Sequence, residues 1–189
     1  MTTIVAVKKG GTVAIAADSL TTFGDTRLGR QYKGQHDKIL HVRDSYIGIC
    51  GSSAHHLVLE NVLTKFENLK LSSRGEVFET FRLLHPILKE QCYLNPKEED
   101  DDPYESSQIT CLIANATGIY GVYSYREVFD YDRFWGIGSG RNFALGAMFV
   151  AYDRARSAAE IARIGVAGGI EFDTASSGPV VVHSVKLKK

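Results

Sequence analysis

Two apolar, β-prone runs open the chain, residues 3–7 and 12–17, separated by Lys8-Lys9-Gly10-Gly11. Such runs across a Gly-Gly turn predict a hairpin. Asp18 falls where the second strand ends, and the polar, glycine-containing segment 21–37 reads as loop. Residues 38–42 and 45–50 predict two more strands, with Arg43-Asp44 as their turn and Gly51 as the terminator. The hydrophobic period then changes. Leu57, Val58, Val62 and Phe66 recur at helical spacing over 54–70, and 74–93 does likewise through Val77, Phe78, Phe81, Leu84, Leu88 and Cys92. Pro86 predicts a kink or a restart in that second helix. Segment 95–107, with its run Glu98-Glu99-Asp100-Asp101-Asp102, reads as a loop, either a solvated acidic tip or a docking patch for a basic partner.

Strands return at 108–114, 118–125 and 127–131. Gly136-Ile137-Gly138-Ser139-Gly140 is a turn leading into a helix over 142–156, whose small face (Ala144, Ala147, Ala151, Ala155) permits close packing. Ser157 and Glu160 form a capping-box pair for the next helix, predicted to stop near Gly168-Gly169. A last strand follows over 179–187. Strands, two helices, strands, two helices and a strand predict an α+β fold. Two antiparallel sheets stack, each covered by a helix pair, giving an αββα sandwich in a single domain, 1–189.

The 189 residues can bury a sizeable core, and 22 basic residues balance 22 acidic ones. No bulk charge argues for a nucleic acid or an anionic membrane. Cys50, Cys92 and Cys111 form no CxxC pair and leave an odd count, so neither zinc nor a disulfide framework is expected. His55-His56 is adjacent rather than helically spaced, and HExxH is absent, so no metal site is expected. Without a signal-like opening or a membrane-length apolar stretch, the expectation is a soluble, cytoplasmic protein.

Candidate chemistry begins at Thr2. Removing Met1 would leave its α-amine beside its own hydroxyl, a base and a nucleophile in one residue. Such an amine has a reference pKa of about 7.7–8.0, so much of it is basic near neutrality. Taken singly, the other candidates have bland readings: a turn aspartate at Asp18, a surface lysine at Lys38, a helix-capping serine at Ser139, an Asx-turn at Asp173.

Four segments in the same order change that balance: Thr2-Thr3-Ile4-Val5-Ala6-Val7, Ala16-Ala17-Asp18-Ser19, Asp37-Lys38-Ile39 and Gly136-Ile137-Gly138-Ser139-Gly140. Together they resemble the signature segments of proteasome β-subunits, with the strongest likeness to HslV-type bacterial peptidases and the related betaproteobacterial proteasome homologue. The resemblance implies the N-terminal nucleophile hydrolase fold and gives Thr2 the role of nucleophile. Asp18 and Lys38 become the charged pair beside it, with Lys33 as the fallback lysine because the stretch after Asp18 is longer than in HslV-type chains. Ser139, Asp173 and Ser176 would bracket the amine. Gly51 corresponds to the oxyanion glycine, and Ile49, Ser53 and Leu57 fall where the family lines a pocket, here mostly apolar, for the side chain before the cut bond.

The resemblance implies a threonine-type endopeptidase without a cofactor, enclosed in a homo-oligomeric ring or stacked rings, acting on unfolded protein or peptide, and compatible with an ATP-dependent unfoldase. Two alternatives share the fold: an amidase or acyltransferase on a small amide, and a catalytically silent ring subunit. Phe66, Phe78, Phe81, Leu84 and Leu88 are more apolar positions than one sheet-facing stripe needs, which predicts burial between subunits.

Overall fold

A computed structural model describes residues 2–34, 37–95, 101–102 and 104–188. Strands β1 (Ile4–Lys9) and β2 (Thr12–Ala17) form the expected hairpin. Its two-residue turn needs left-handed backbone at both positions, which Gly10 (φ 59°) and Gly11 (φ 71°) supply. A short hairpin, β3 (Thr21–Phe23) with β4 (Thr26–Leu28), occupies the segment expected to be loop. It is followed by β5 (Ile39–Val42) and β6 (Ser45–Cys50). Helix α1 (Ser53–Lys65) is shorter than the periodicity suggests.

Helix α2 (Arg74–Pro86) is capped by Ser73, whose side chain accepts from the Glu76 N–H. Pro86 has no N–H to continue the ladder, and the chain widens into a π turn, Ile87–Gln91. The restart expected at Pro86 therefore takes the form of one wide turn. Within the acidic run, Glu98, Glu99 and Asp100 lie outside the described residues.

Strands β7 (Thr110–Asn115), β8 (Gly118–Val122), β9 (Val128–Tyr131) and β10 (Phe134–Ile137) precede α3 (Arg141–Ala151), α4 (Ala158–Phe172) and β11 (Val181–Lys186). One antiparallel sheet has the order β10-β1-β2-β11, the other β5-β6-β7-β8-β9. Ile4, Ile15, Leu112 and Ile119 fill the space between the sheets. Outside the five-stranded sheet, Leu59, Leu63, Phe81, Leu84 and Leu88 form a core with α1 and α2. Outside the other sheet, Val5, Ala16, Met148, Ile161 and Val166 form one with α3 and α4. The αββα sandwich expected from the element order is the observed architecture.

Three local expectations need correcting. Strand β10 was hidden within a glycine-containing stretch; it pairs with β1, Ile4 opposite Ile137, and so carries the Gly138-Ser139 turn to the start of β1. The Gly168-Gly169 pair does not stop α4 but lies inside it, because both positions are closely packed. A Cβ at Gly168 would sit 3.0 Å from that of Ala147, and one at Gly169 would sit 2.4 Å from Thr3 Oγ1. Gly169→Ala is accordingly expected to destabilise the protein by about 1–3 kcal/mol, the scale of an overpacked core, measured by denaturant unfolding.

The third correction concerns the apolar surplus on α1 and α2. Phe81, Leu84 and Leu88 are buried in the chain's own core, and Phe66 packs against them, leaving Phe78 as the exposed member. Exposed apolar side chains cluster instead on α3 and α4, where Phe143, Phe149, Val150, Ile164 and Phe172 face outward.

Candidate active site

Thr2 precedes β1 and is 5 % exposed. Its N–H donates to Ser139 Oγ at 3.1 Å. Ser139 Oγ in turn donates to Asp173 Oδ2 at 2.8 Å, and Ser176 Oγ donates to the same oxygen at 2.6 Å. Ser139 has thus committed its proton to the carboxylate, which leaves its lone pair facing the Thr2 nitrogen. Asp173 is the C-cap of α4, and Ala175 N–H and Ser176 N–H fold back onto its side chain and carbonyl. The Asx-turn reading and the site reading describe the same residue.

Asp18 is buried at the end of β2. Its Oδ1 accepts from the Thr3 N–H at 2.9 Å and from Lys38 Nζ at 2.6 Å. Its Oδ2 accepts from the N–H groups of Leu20 at 3.0 Å and Ser177 at 3.1 Å. Burial lowers the pKa of Lys38 from the ordinary lysine value, while the Asp18 charge and hydrogen bond pull it back up. Lys33, the fallback lysine, points elsewhere: its Nζ donates to the Ser19 carbonyl at 2.8 Å. Its pKa too is lowered, first by burial and then by the Lys38 charge.

Thr2, Lys38 and Gly51 line one cavity of about 70 Å³, together with Leu20, Thr21, Thr22, Ile49, Ser52, Ser53 and His56. Gly51 has φ 111°, a conformation that side chains rarely adopt, although a Cβ there would meet no atom within 4 Å. Gly51→Ala should therefore cost about 1–3 kcal/mol in backbone strain and be relieved by a shift of the strand end. If Gly51 has the oxyanion role that the resemblance implies, the expected outcome is lost hydrolysis with a drop of only about a few degrees in unfolding midpoint, read by kcat/KM alongside thermal unfolding.

Of the three residues assigned to the side-chain pocket, Ile49 and Ser53 line this cavity and Leu57 does not. The buried stripe of α1 runs through His56, Leu59 and Leu63, which turns Leu57 outward, 64 % exposed. His56 stands in the wall instead, and with Thr21, Thr22, Ser52 and Ser53 makes the lining mainly polar, against the apolar expectation.

Thr3 is the residue that sequence reasoning missed. It is fully buried, its backbone anchors to Asp18, and its Oγ1 hydrogen-bonds Ser176 Oγ at 2.7 Å. Thr3 also explains two glycines, since a Cβ at Gly140 would lie 2.0 Å from Thr3 Oγ1 and one at Gly169 2.4 Å from it. The available signal was a second threonine beside the first, which read as ordinary strand.

Residues 1–167 match the family model described as proteasome subunit. The chain is 25 % identical over 189 residues to the ATP-dependent protease subunit HslV of Roseobacter denitrificans, covering 97 % of this chain and 93 % of that protein. Among solved structures it is similar to Thiobacillus denitrificans BPH in complex with epoxomicin, at 37 % identity and TM-score 0.91 over 99 % of this chain and all (100 %) of that one. Another structure of the same protein gives 39 % identity and TM-score 0.90, with 98 % of each chain covered. HslV from Trypanosoma brucei shares the fold, at 21 % identity and TM-score 0.72 over 97 % of this chain and 99 % of that one.

Proposed function

This chain belongs to the proteasome subunit family, and from that premise we propose that it is a threonine-type endopeptidase subunit of a self-assembled, proteasome-like particle. The observation that carries the reading is the meeting of two polar systems at the Thr2–Thr3 peptide. Ser139, Asp173 and Ser176 reach it from one side, and the Asp18–Lys38 pair from the other.

While Met1 is attached, the Thr2 nitrogen is an amide. Its removal produces an amine already placed 3.1 Å from Ser139 Oγ. That amine donates one N–H to Ser139 and turns its lone pair to the Thr2 hydroxyl, taking the proton as Oγ1 attacks the carbonyl carbon of a peptide. The Lys38 ammonium favours the neutral amine and the charge developing on the hydroxyl oxygen. Gly51 N–H stabilises the oxyanion, the protonated amine returns its proton to the leaving amine, and water cleaves the resulting ester. No cofactor enters these steps.

An open site of this kind would cut proteins throughout a cytoplasm, so the reading includes enclosure in a homo-oligomeric ring or stacked rings. The outward phenylalanines of α3 and α4 support such contacts. The name of one relative, an ATP-dependent protease subunit, supports an ATP-dependent unfoldase as feeding partner. Light scattering at micromolar concentration should show a particle of roughly hexamer scale or larger.

Intact-mass measurement of the natively expressed protein tests the chemistry. The expected result is loss of Met1, followed by a one-to-one adduct with an epoxyketone, which consumes both a hydroxyl and a free amine. Retained Met1 with no adduct would instead support a catalytically silent subunit. The small volume of the Thr2 cavity favours one second reading, hydrolysis or acyl transfer on a small amide. A peptide-library digest analysed by mass separates the two.

A further inference from the structure

Successive side chains of a strand point to opposite faces. At the end of β6, Ile49 faces the cavity that contains Thr2, whereas Cys50 faces a second and larger groove of about 640 Å³. That groove reaches Thr2 from the other side. Gly138 lines it and lies so close to Thr2 that a Cβ there would be 2.0 Å from the Thr2 carbonyl oxygen. For a peptide with its carbonyl oxygen at Gly51 and its acyl-side chain beside Ile49, the stretch beyond Thr2 has the Gly138 end of this groove next to it.

The walls of the groove are aromatic. Tyr131 and Trp135 stack with centroids 5.0 Å apart and planes 7° from parallel, and Phe129 meets Tyr123 edge-on at 6.0 Å. Trp135 Nε1 donates to the Tyr123 hydroxyl at 2.6 Å, and the Tyr123 and Tyr131 hydroxyls share a hydrogen bond of 3.0 Å. The polar tips therefore satisfy one another, and beside Glu127, Arg141 and Thr110 of the same lining the rings offer a ligand apolar surface held in place beforehand. Little ordering remains to be lost when an apolar group enters. Phe129 and Trp135 are nevertheless 48 % and 36 % exposed, so this surface is not used up by the chain's own core.

We propose that this groove is the subsite for the residue immediately C-terminal to the cut bond, and that it selects an aromatic side chain there. The inference rests on the peptidase reading, but its ligand can be tested apart from cleavage because Trp135 is the only tryptophan in the chain. Its emission is titrated in wild type and in Thr2→Ala with two tripeptide amides, Phe-Ala-Ala and Gly-Ala-Ala. The Phe peptide should give a saturable change and bind at least about tenfold more tightly than the Gly peptide, and Phe129→Ala should remove most of that preference.

In the processed enzyme, quenched peptides that differ only by Phe or Gly after the cut bond should show the same order of preference. Phe129→Ala should lower kcat/KM for the Phe peptide by about tenfold, yet leave a methyl ester of the same acyl peptide, which puts nothing in the groove, within about twofold. Equal emission changes with both peptides, or none, would overturn the proposal. So would a Phe129→Ala defect equal on ester and peptide, or an emission change that follows protein dilution and thereby assigns the groove to a second copy of the chain. Emission binding with the expected preference, without cleavage of either peptide, would overturn the peptidase reading and leave the groove's ligand class standing.

Discussion

Thr2→Ala is expected to abolish peptide hydrolysis while leaving the particle assembled. In the proposed mechanism the hydroxyl is the atom that bonds to the substrate, whereas the side chain sits ahead of β1 and adds little to any of the three apolar cores. The hydrogen bonds that hold the segment come from its backbone N–H to Ser139 and from Thr3, and alanine keeps both. Thr2→Ser should retain part of the activity, because hydroxyl and amine both survive and only the methyl group that restricts the side-chain rotamer is lost. Turnover of a quenched peptide, with light scattering on the same sample, measures both outcomes. Near-wild-type activity in Thr2→Ala would remove the nucleophile assignment whatever the scattering shows.

Lys38→Ala is expected to cost at least about a hundredfold in kcat/KM, or about 2.7 kcal/mol of transition-state stabilisation, the scale of a lost electrostatic group. The substitution also leaves the buried Asp18 carboxylate without its ion-pair partner, so part of the loss will appear as reduced stability. Lys33→Ala should change kcat/KM little, since that side chain is committed to the Ser19 carbonyl. A reversed order would put Lys33, rather than Lys38, beside the reacting amine. Acidity adds a second readout. Burial lowers the Lys38 pKa, so its positive charge is lost at a lower pH than for an ordinary lysine. The alkaline limb of the activity profile should therefore fall below the usual lysine value of about 10.4.

Much of this arrangement was legible in the chain because local signals agreed with the global fold. The Gly10-Gly11 hairpin, the strand ending at Cys50 and the Ser157–Glu160 cap each stand where residue chemistry puts them. Signals failed where tertiary packing gave a residue a second meaning. Gly168 and Gly169 look like a helix stop but are contact points, one against α3 and the other against Thr3. Strand β10 was obscured because the glycines that flank its end allow Ser139 to approach Thr2. Leu57 was assigned to the pocket from its position in the family pattern, whereas the buried stripe of α1 passes through His56. Periodicity also overstated the free apolar surface of α1 and α2, because the π turn after Pro86 keeps Leu88 inside the core.

The order of the chain adds a temporal consequence. Ser139 lies 137 positions from Thr2, Ser177 lies 159 from Asp18, and Ser176 lies 173 from Thr3. A polypeptide still emerging from the ribosome displays its proposed nucleophile first and receives the residues that would align it last. Until the segment after α4 has left the exit tunnel and docked, Asp18 lacks one of its backbone donors and the Thr2 nitrogen has no Ser139–Asp173 relay to face. Under the proposed function, Thr2 is the earliest part of the site to be translated and the last to be armed, which would keep an unfinished chain from cutting the proteins around it.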